Sequence, residues 1–146
     1  MNITKEWLEE MNACTAGIDW FLAQTETAGI TVVKKLLAEN HFEWANWLIV
    51  RLMDRKQKIR YSCFAARQVL VIFEKQYPDD KRPRLALEAA EKCIEEDTQE
   101  NRAAAREAAW EAWAAWEAAR EAWAAAGEVA MQSKIIENGI NILEAK

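Results

Sequence analysis

Residues 102–126 read RAAAREAAWEAWAAWEAAREAWAAA, a stretch composed only of alanine, glutamate, arginine and tryptophan. Alanine has the highest helix propensity of all residues, and glutamate and arginine are also good helix formers. The sequence AARE occurs at 104–107 and again at 118–121, which is two heptads later. Because a long coiled coil would need this repeat over more heptads, the stretch predicts a single helix packed closely against an antiparallel neighbour.

The predicted helix separates into two faces when residues are placed at about 100° intervals. One face carries no charge, and we expect it to press against another helix. This smooth face consists of Ala104, Ala105, Ala108, Ala112, Ala115, Ala119, Ala122 and Ala126. The other side, here called the charged arc, holds two tryptophans among ionic side chains. It consists of Trp110 and Trp113 with Arg102, Arg106, Glu107, Glu111, Glu117, Arg120, Glu121 and Glu128.

Two interpretations of the charged arc remain open. In the first, the N-terminal helices cover its tryptophans, with Arg106 stacked on Trp110 and Arg120 on Trp116. In the second, Trp110 and Trp113 anchor a partner, because tryptophan and arginine dominate the energetics of protein interfaces. The predicted partner-binding residues are Trp110, Trp113, Arg106, Glu107, Glu111, Glu117 and Arg120.

The remainder of the chain also shows the apolar spacing of helices, and it contains only four glycines and two prolines. We expect helices after Thr4, from about Thr15, after a cap at Thr31, beyond the Asn40-His41 interruption, and over about 56–76. Further helices are expected from Pro83 to about Glu96, after Asp97 or Thr98, and beyond Gly127, the last with an interruption at Asn138-Gly139. Val69–Phe73 alone resembles a buried strand, but its neighbours keep helical spacing. The fold prediction is an all-α, compact multi-helix bundle, one domain over residues 1–146.

Charge and hydropathy narrow the choice of partner and compartment. The net charge of −5 argues against a nucleic-acid polymer, because phosphate binding needs a surplus of lysine and arginine. A basic protein toxin is the better electrostatic match. The N-terminus has no basic-then-apolar signal segment, and no apolar run approaches the ~20 residues that span a bilayer. We therefore expect a cytoplasmic protein that does not contact the membrane.

Motifs for catalysis or metal binding are missing from the sequence. Cys14, Cys63 and Cys93 lie far apart and are odd in number, so we expect buried free thiols rather than disulfides or a zinc site. His41 is the single histidine and is expected to have a capping or surface role. Asp79-Asp80 precedes a helix, where negative charge offsets the helix dipole. Without a phosphate loop or a nucleophile motif, we expect no enzyme activity, no metal and no cofactor.

Three segments carry a resemblance to a known family. They are ACTAGIDWF at 13–21, the helix from AAR at 65–67 to FEK at 73–75, and YPDDKRPRLALEAA at 77–90. With the alanine-rich stretch that follows, the chain resembles the all-α putative immunity proteins of bacterial toxin systems, which also occur in phages. The resemblance implies a compact helical fold and protection by toxin binding. This chain differs in its tryptophans, because the family tends to small residues and histidine in the alanine helix.

Three functions are compatible with these observations. The first is an immunity-type protein that neutralises a toxin by covering its working surface. The second is a protein that sequesters a small anionic ligand, such as a nucleotide, between tryptophans and arginines. Such a protein could be encoded by a phage. The third is a structural homo-oligomer whose tryptophans meet across a two-fold axis. A toxin binder is expected to show a flat aromatic patch with an acidic rim, and a ligand binder a concave pocket of ~300–1,000 Å³ with converging tryptophan and arginine.

Overall fold

The computed structural model describes residues 1–108 and 128–145, and these residues form helices joined by short turns. The helices are α1 (Lys5–Glu10), α2 (Thr15–Leu22), α3 (Gly29–Ala38), α4 (Phe42–Leu52), α5 (Arg55–Gln76), α6 (Arg82–Glu95), the helical residues 99–108 (α7) and α8 (Glu128–Glu144). Within the described residues the sole β pairing is an isolated bridge between Asn2 and Ala28. The predicted all-α class is confirmed, and the strand-like stretch at 69–73 lies inside α5.

Polar side chains fix several helix starts. Thr4 Oγ1 accepts a hydrogen bond from the Trp7 amide at 3.2 Å, as its predicted capping role requires. Asp54 begins α5 with a capping box, because it accepts from the Gln57 amide at 2.8 Å while its own amide donates to the Gln57 side chain at 3.0 Å. Thr98 Oγ1 accepts from the Asn101 amide at 3.1 Å. These capping hydrogen bonds fix the residues at which α1, α5 and α7 begin.

The predicted start of α3 is wrong by three residues. The helix begins at Gly29, with Ala28 rather than Thr31 at its N-terminal boundary. The reason is a tertiary contact: the Gly29 amide donates to the carbonyl oxygen of Met1 at 3.0 Å. The chain's first residues thereby satisfy a helix N–H group that would otherwise need a side-chain cap.

The predicted interruption at Asn138-Gly139 is also wrong, because α8 continues through both residues. Gly139 is buried against α4 and α5, and a β-carbon there would lie 2.6 Å from Ile49 Cδ1 and 2.7 Å from Tyr61 Cε2. The glycine serves close helix packing and does not end the helix.

The larger hydrophobic core joins α1–α4, the start of α5, and α8. Its buried members are Ile3, Leu8, Phe21, Val32, Val33, Leu36, Ala45, Leu48, Ile49, Met53, Tyr61, Ile136, Ile140 and Leu143. A smaller cluster of Cys63, Leu70 and Leu87 lies between α5 and α6. The long helix α5 contributes to both clusters and so links them.

Helices α5 and α6 form an antiparallel hairpin around the predicted 77–83 linker. Arg84 forms a two-pronged ion pair with Glu74, both N···O distances being 2.6 Å. Arg67 pairs with Glu91 in the same way at 2.7 and 2.8 Å. Pro83 lies in the first turn of α6, as expected. The hairpin is thus joined by a narrow apolar seam between exposed ion pairs.

The smooth alanine face is only partly described. Ala105 and Ala108 are half-buried, but Ala104 is exposed, so the expectation that it packs against a helix is wrong. The first turns of α7 are attached instead through Asp97, which pairs with Arg102 at 2.6 Å and Arg55 at 3.1 Å. The other five alanines of this face lie outside the described residues, as does the predicted break at Gly127.

Candidate functional site

The predicted charged arc lies mostly outside the described part of the chain. Arg106 and Glu107 are described, and both are exposed on α7. Trp110, Trp113, Glu111, Glu117 and Arg120 fall beyond residue 108 and are not described. The arc therefore stays a prediction, while a different aromatic site is visible near the N-terminus.

A cavity of about 330 Å³ lies where α1, α2, α3 and α4 meet, and we call it the tryptophan cavity. Its described lining consists of Ile3, Leu8, Asn12, Ala13, Cys14, Gly17, Trp20, Phe21, Val32, Leu36, Glu43, Trp44, Trp47 and Leu48. Three of these residues are tryptophans, each of them half-buried. The cavity is concave, apolar and aromatic, which is typical of binding sites; it differs from the flat aromatic patch that was expected of a toxin binder.

Helices α2 and α4 bring the aromatic rings together. Trp44 stacks on His41 with ring centroids 4.5 Å apart and planes inclined by 20°. The Trp20 ring lies 6.5 Å from Trp44 and 6.1 Å from His41. One turn further along α4, Trp47 meets Trp7 edge to face at 6.4 Å. Both groups of rings lie on one face of α4, because Trp44 and Trp47 are three residues apart on this helix.

A carboxylate fixes the position of Trp20. The indole Nε1–H of Trp20 donates to Glu39 Oε2 at 2.8 Å, and His41 Nε2 lies 3.9 Å from the same oxygen. His41 occupies the N-terminal boundary of α4, but among the described contacts its side chain makes no capping hydrogen bond. The expected capping or surface role thus holds only in part: His41 is the N-cap residue of α4 and its side chain is partly exposed, but the ring stacks on Trp44 and does not cap the helix.

A guanidinium group covers one tryptophan from within the chain. The Cζ atom of Arg51 lies 3.7 Å from the centre of the Trp47 ring. Arg51 Nη1 also donates to the Trp47 carbonyl oxygen at 3.0 Å, one helical turn earlier. This contact is a cation–π interaction, and the hydrogen bond holds the guanidinium over the ring.

The α1–α2 turn brings a thiol to the cavity. Asn12 adopts a positive φ of 58°, and the Ala13 amide donates to the Leu8 carbonyl oxygen at 2.9 Å, which reverses the chain. Cys14 follows at the start of α2 and is exposed, so the expectation of three buried thiols is wrong at this position. An isolated cysteine has no partner pattern from which its exposure follows.

The other two cysteines agree with the sequence prediction. Cys63 and Cys93 are buried, and all three cysteines are free thiols. Burial raises the pKa of the Cys63 thiol to about 11. A thiol with so high a pKa is almost wholly protonated near neutral pH, and it is therefore a poor nucleophile.

The charge around the tryptophan cavity is acidic. Glu43 is exposed in the first turn of α4, and it is the one charged residue among the described residues that line the cavity. Residues 1–50 contain seven aspartates and glutamates against three lysines and arginines. The predicted small-ligand pocket needed arginines in the lining beside the tryptophans; here the charged lining residue is a carboxylate, and Arg51 covers Trp47 from outside the lining.

No function was predicted for the tryptophans of the N-terminal helices. Of eight tryptophans, four lie within residues 1–50 and four within the alanine-rich stretch. The i, i+3 spacing of Trp44 and Trp47 was a usable signal, because it places both rings on one helical face. The approach of Trp20 from α2 has no sequence signal, since it depends on the turn between helices.

Neither a metal site nor a membrane span is found in the described part of the chain. No three His, Cys, Asp or Glu side chains of residues 1–108 and 128–145 are grouped so that they could hold a metal ion. In the same residues, no helix is long and apolar enough to cross a membrane.

Comparisons with known proteins divide the chain into two overlapping matches. The model of a family described as Imm-5 like putative immunity protein matches residues 48–133, more than half of the chain. The model of a domain described as YdhT N-terminal domain matches residues 1–56. Searches of the curated proteins and of the solved structures find no match. The described lining of the tryptophan cavity lies within residues 3–48, and the charged arc lies in the region that matches the immunity family.

Proposed function

Because the chain belongs to the Imm-5 like putative immunity protein family, we propose that it binds a toxin directly and neutralises it by covering the toxin's working surface. We further propose that residues 1–146 act as one domain in the cytoplasm, without enzyme activity, cofactor or contact with nucleic-acid polymers. The structural observation that supports binding is the tryptophan cavity.

The composition of the cavity favours a protein partner. Tryptophans that line a concave, partly desolvated site are typical of the residues that dominate interface energies. The surrounding carboxylates add charge complementarity to a basic toxin, and such complementarity speeds encounter and suppresses wrong partners. A rigid scaffold also favours tight binding, because the rings of Trp20 and Trp44 are already held in place by Glu39 and His41.

The charged arc is a second proposed surface for the same toxin. Arg106 and Glu107 are exposed, which suits contact with a partner. Trp110 and Trp113 would anchor that contact, with Glu111, Glu117 and Arg120 around them. If the cavity binds the toxin, substitutions in its lining should weaken binding; if the charged arc binds it, substitutions in the arc should do so. The two surfaces can therefore be tested separately.

The direct test is binding to a candidate toxin, chosen from the products of the genes next to the one that encodes this protein. Co-expression is expected to restore growth, and calorimetry is expected to show a defined complex. Glu43→Lys reverses the charge at the cavity, and Trp113→Ala truncates the arc. Whichever of these two surfaces contacts the toxin, we expect its variant to weaken binding by ~2 kcal/mol or more. The far-UV circular dichroism spectrum of that variant should be unchanged.

The matched control is Glu26→Lys, which makes the same charge change at an exposed loop residue that does not line the cavity. This variant is expected to bind like the wild type. Folded protein that neither binds the toxin nor protects cells would overturn the immunity proposal. Light scattering of the free protein tests the homo-oligomer instead, and a stable dimer through the tryptophans would support that alternative.

A small-ligand function is the second candidate, and the volume of the cavity favours it. About 330 Å³ lies at the low end of the ~300–1,000 Å³ range of small-molecule pockets. Glu43 disfavours the anionic ligand that the sequence suggested, because a carboxylate in the lining repels an anion. Titration with AMP tests this alternative, and saturable binding to the wild type in the absence of toxin would support it.

A further inference from the structure

The tryptophan cavity combines two features that together favour a cation. Trp20, Trp44 and Trp47 contribute indole surface, whose π-electron face attracts positive charge. Glu43 contributes a carboxylate to the same lining. An indole surface alone accepts many apolar groups, but indole together with a carboxylate favours a group that is both flat and positively charged.

Helix α4 already contains one contact between a guanidinium group and a tryptophan ring. Arg51 places its guanidinium 3.7 Å from the centre of the Trp47 ring, next to the cavity. A guanidinium is planar and weakly hydrated, so it loses less hydration on indole than an ammonium group does. The internal contact demonstrates that a guanidinium fits on a tryptophan of α4 in this environment.

From these observations we propose that the tryptophan cavity receives an arginine side chain of the partner protein. The guanidinium lies against the indole surface of the cavity and pairs with the carboxylate of Glu43. This inference rests on the proposed function, because it names the chemistry by which the toxin is recognised. The occupant is one side chain of a bound protein, not a free anion or a nucleic acid.

The size and the electrostatics of the cavity agree with this occupant. A volume of about 330 Å³ is small for a drug-sized ligand and suits a single long side chain. Residues 1–50 carry seven acidic and three basic side chains, and one of the basic ones, Lys5, pairs with Glu9 at 3.5 Å. This excess of negative charge attracts a basic surface and repels phosphate.

The experiment uses two peptides that differ only in charge. The probes are acetyl-Gly-Arg-Gly-amide and the same peptide with citrulline, which keeps the planar end group but is neutral. Each is titrated into ¹⁵N-labelled full chain, and the indole N–H signals of Trp20 and Trp44 are followed, assigned through Trp→Phe variants. We expect the arginine peptide to bind about fivefold more tightly than the citrulline peptide, which corresponds to ~1 kcal/mol.

The second arm tests the carboxylate. Glu43 is exposed, and Glu43→Gln is a conservative substitution that removes its charge. We expect this variant to lose most of the preference for the arginine peptide over the citrulline peptide. Glu26→Gln is the matched control, because it removes the same charge from a residue outside the cavity lining, and it should keep that preference. Raising the salt concentration should weaken the arginine peptide more than the citrulline peptide.

The outcomes separate this inference from the proposed function. Equal binding of the two peptides, no binding of either, or an unchanged preference in Glu43→Gln would overturn the arginine assignment. If Glu43→Lys then still weakens the toxin complex, the proposed function stands without the arginine. If the arginine peptide binds as expected but the folded wild type does not bind the toxin, the inference about cationic side chains holds and the immunity proposal fails.

Discussion

Gly139 of α8 lies directly against the ring of Tyr61 of α5, so close that a β-carbon would be 2.7 Å from Tyr61 Cε2. The Tyr61 ring cannot easily move, because it is buried and its hydroxyl donates to Asn46 Oδ1 at 2.7 Å. Ile49 Cδ1 lies 2.6 Å from the same position. Gly139 therefore lies at a point where α4, α5 and α8 all meet.

Gly139→Ala is expected to destabilise the protein by about 1–3 kcal/mol, because the added methyl group overpacks the contact with Tyr61. The direction opposes helix propensity, which favours alanine over glycine by ~1 kcal/mol. Urea unfolding measures the change. Asn141→Ala, at an exposed position of the same helix, is the control and should be neutral or slightly stabilising. Equal stability of the two variants would contradict the packing assignment.

Thiol titration should distinguish the three cysteines. Native protein is expected to show one fast-reacting thiol, Cys14, because Cys63 and Cys93 are buried and the pKa of Cys63 is raised to about 11. Denatured protein should show all three. Cys14→Ser should abolish the fast phase and leave the denatured count at two. A fast phase that survives in this variant would mean that a buried cysteine is accessible.

Stability should fall at alkaline pH because of Tyr61. Burial raises the pKa of its phenol to about 12. The unfolded phenol ionises near pH 10, so between about pH 10 and 12 the unfolded state binds fewer protons than the folded state. Stability from this group is thus complete below about pH 10 and is lost as pH rises towards 12. Tyr61→Phe should flatten this part of the curve of unfolding free energy against pH, and an unchanged slope would refute the assignment.

The ion pairs of Asp97 should stabilise the protein at neutral pH and low salt, and this contribution should be lost in acid. Its hydrogen bonds from Arg102 and then Arg55 lower the pKa of the carboxyl below its usual value. A lowered folded pKa gives stability that is present above the unfolded pKa and is lost as pH falls through the folded one. Between about pH 5 and pH 3, the wild type should therefore lose stability faster than Asp97→Asn. Because the pairs are exposed, 1 M NaCl should remove most of this difference.

The sequence determined the helical class and most helix boundaries. Alanine-rich composition and apolar spacing are local signals, and local backbone energetics decide a helix within a few turns. The cap at Thr4, the linker before Pro83 and the helical state of 69–73 were predicted on that basis and confirmed. Family membership was also carried by sequence, through the segments at 65–75 and 77–90, which lie inside the matched region.

Only the tertiary structure decided where the visible candidate site lies. The tryptophan cavity depends on the turn at Asn12, on the approach of Trp20 to Trp44, and on the carboxylate of Glu39. The start of α3 depends on a hydrogen bond to Met1, and the continuity of α8 depends on the space that Gly139 leaves for Tyr61. A sequence pattern reports which residues share one helical face, but it does not report which faces of different helices meet. That pairing is set by the packing of the whole core, where burial and close contact outweigh local preference.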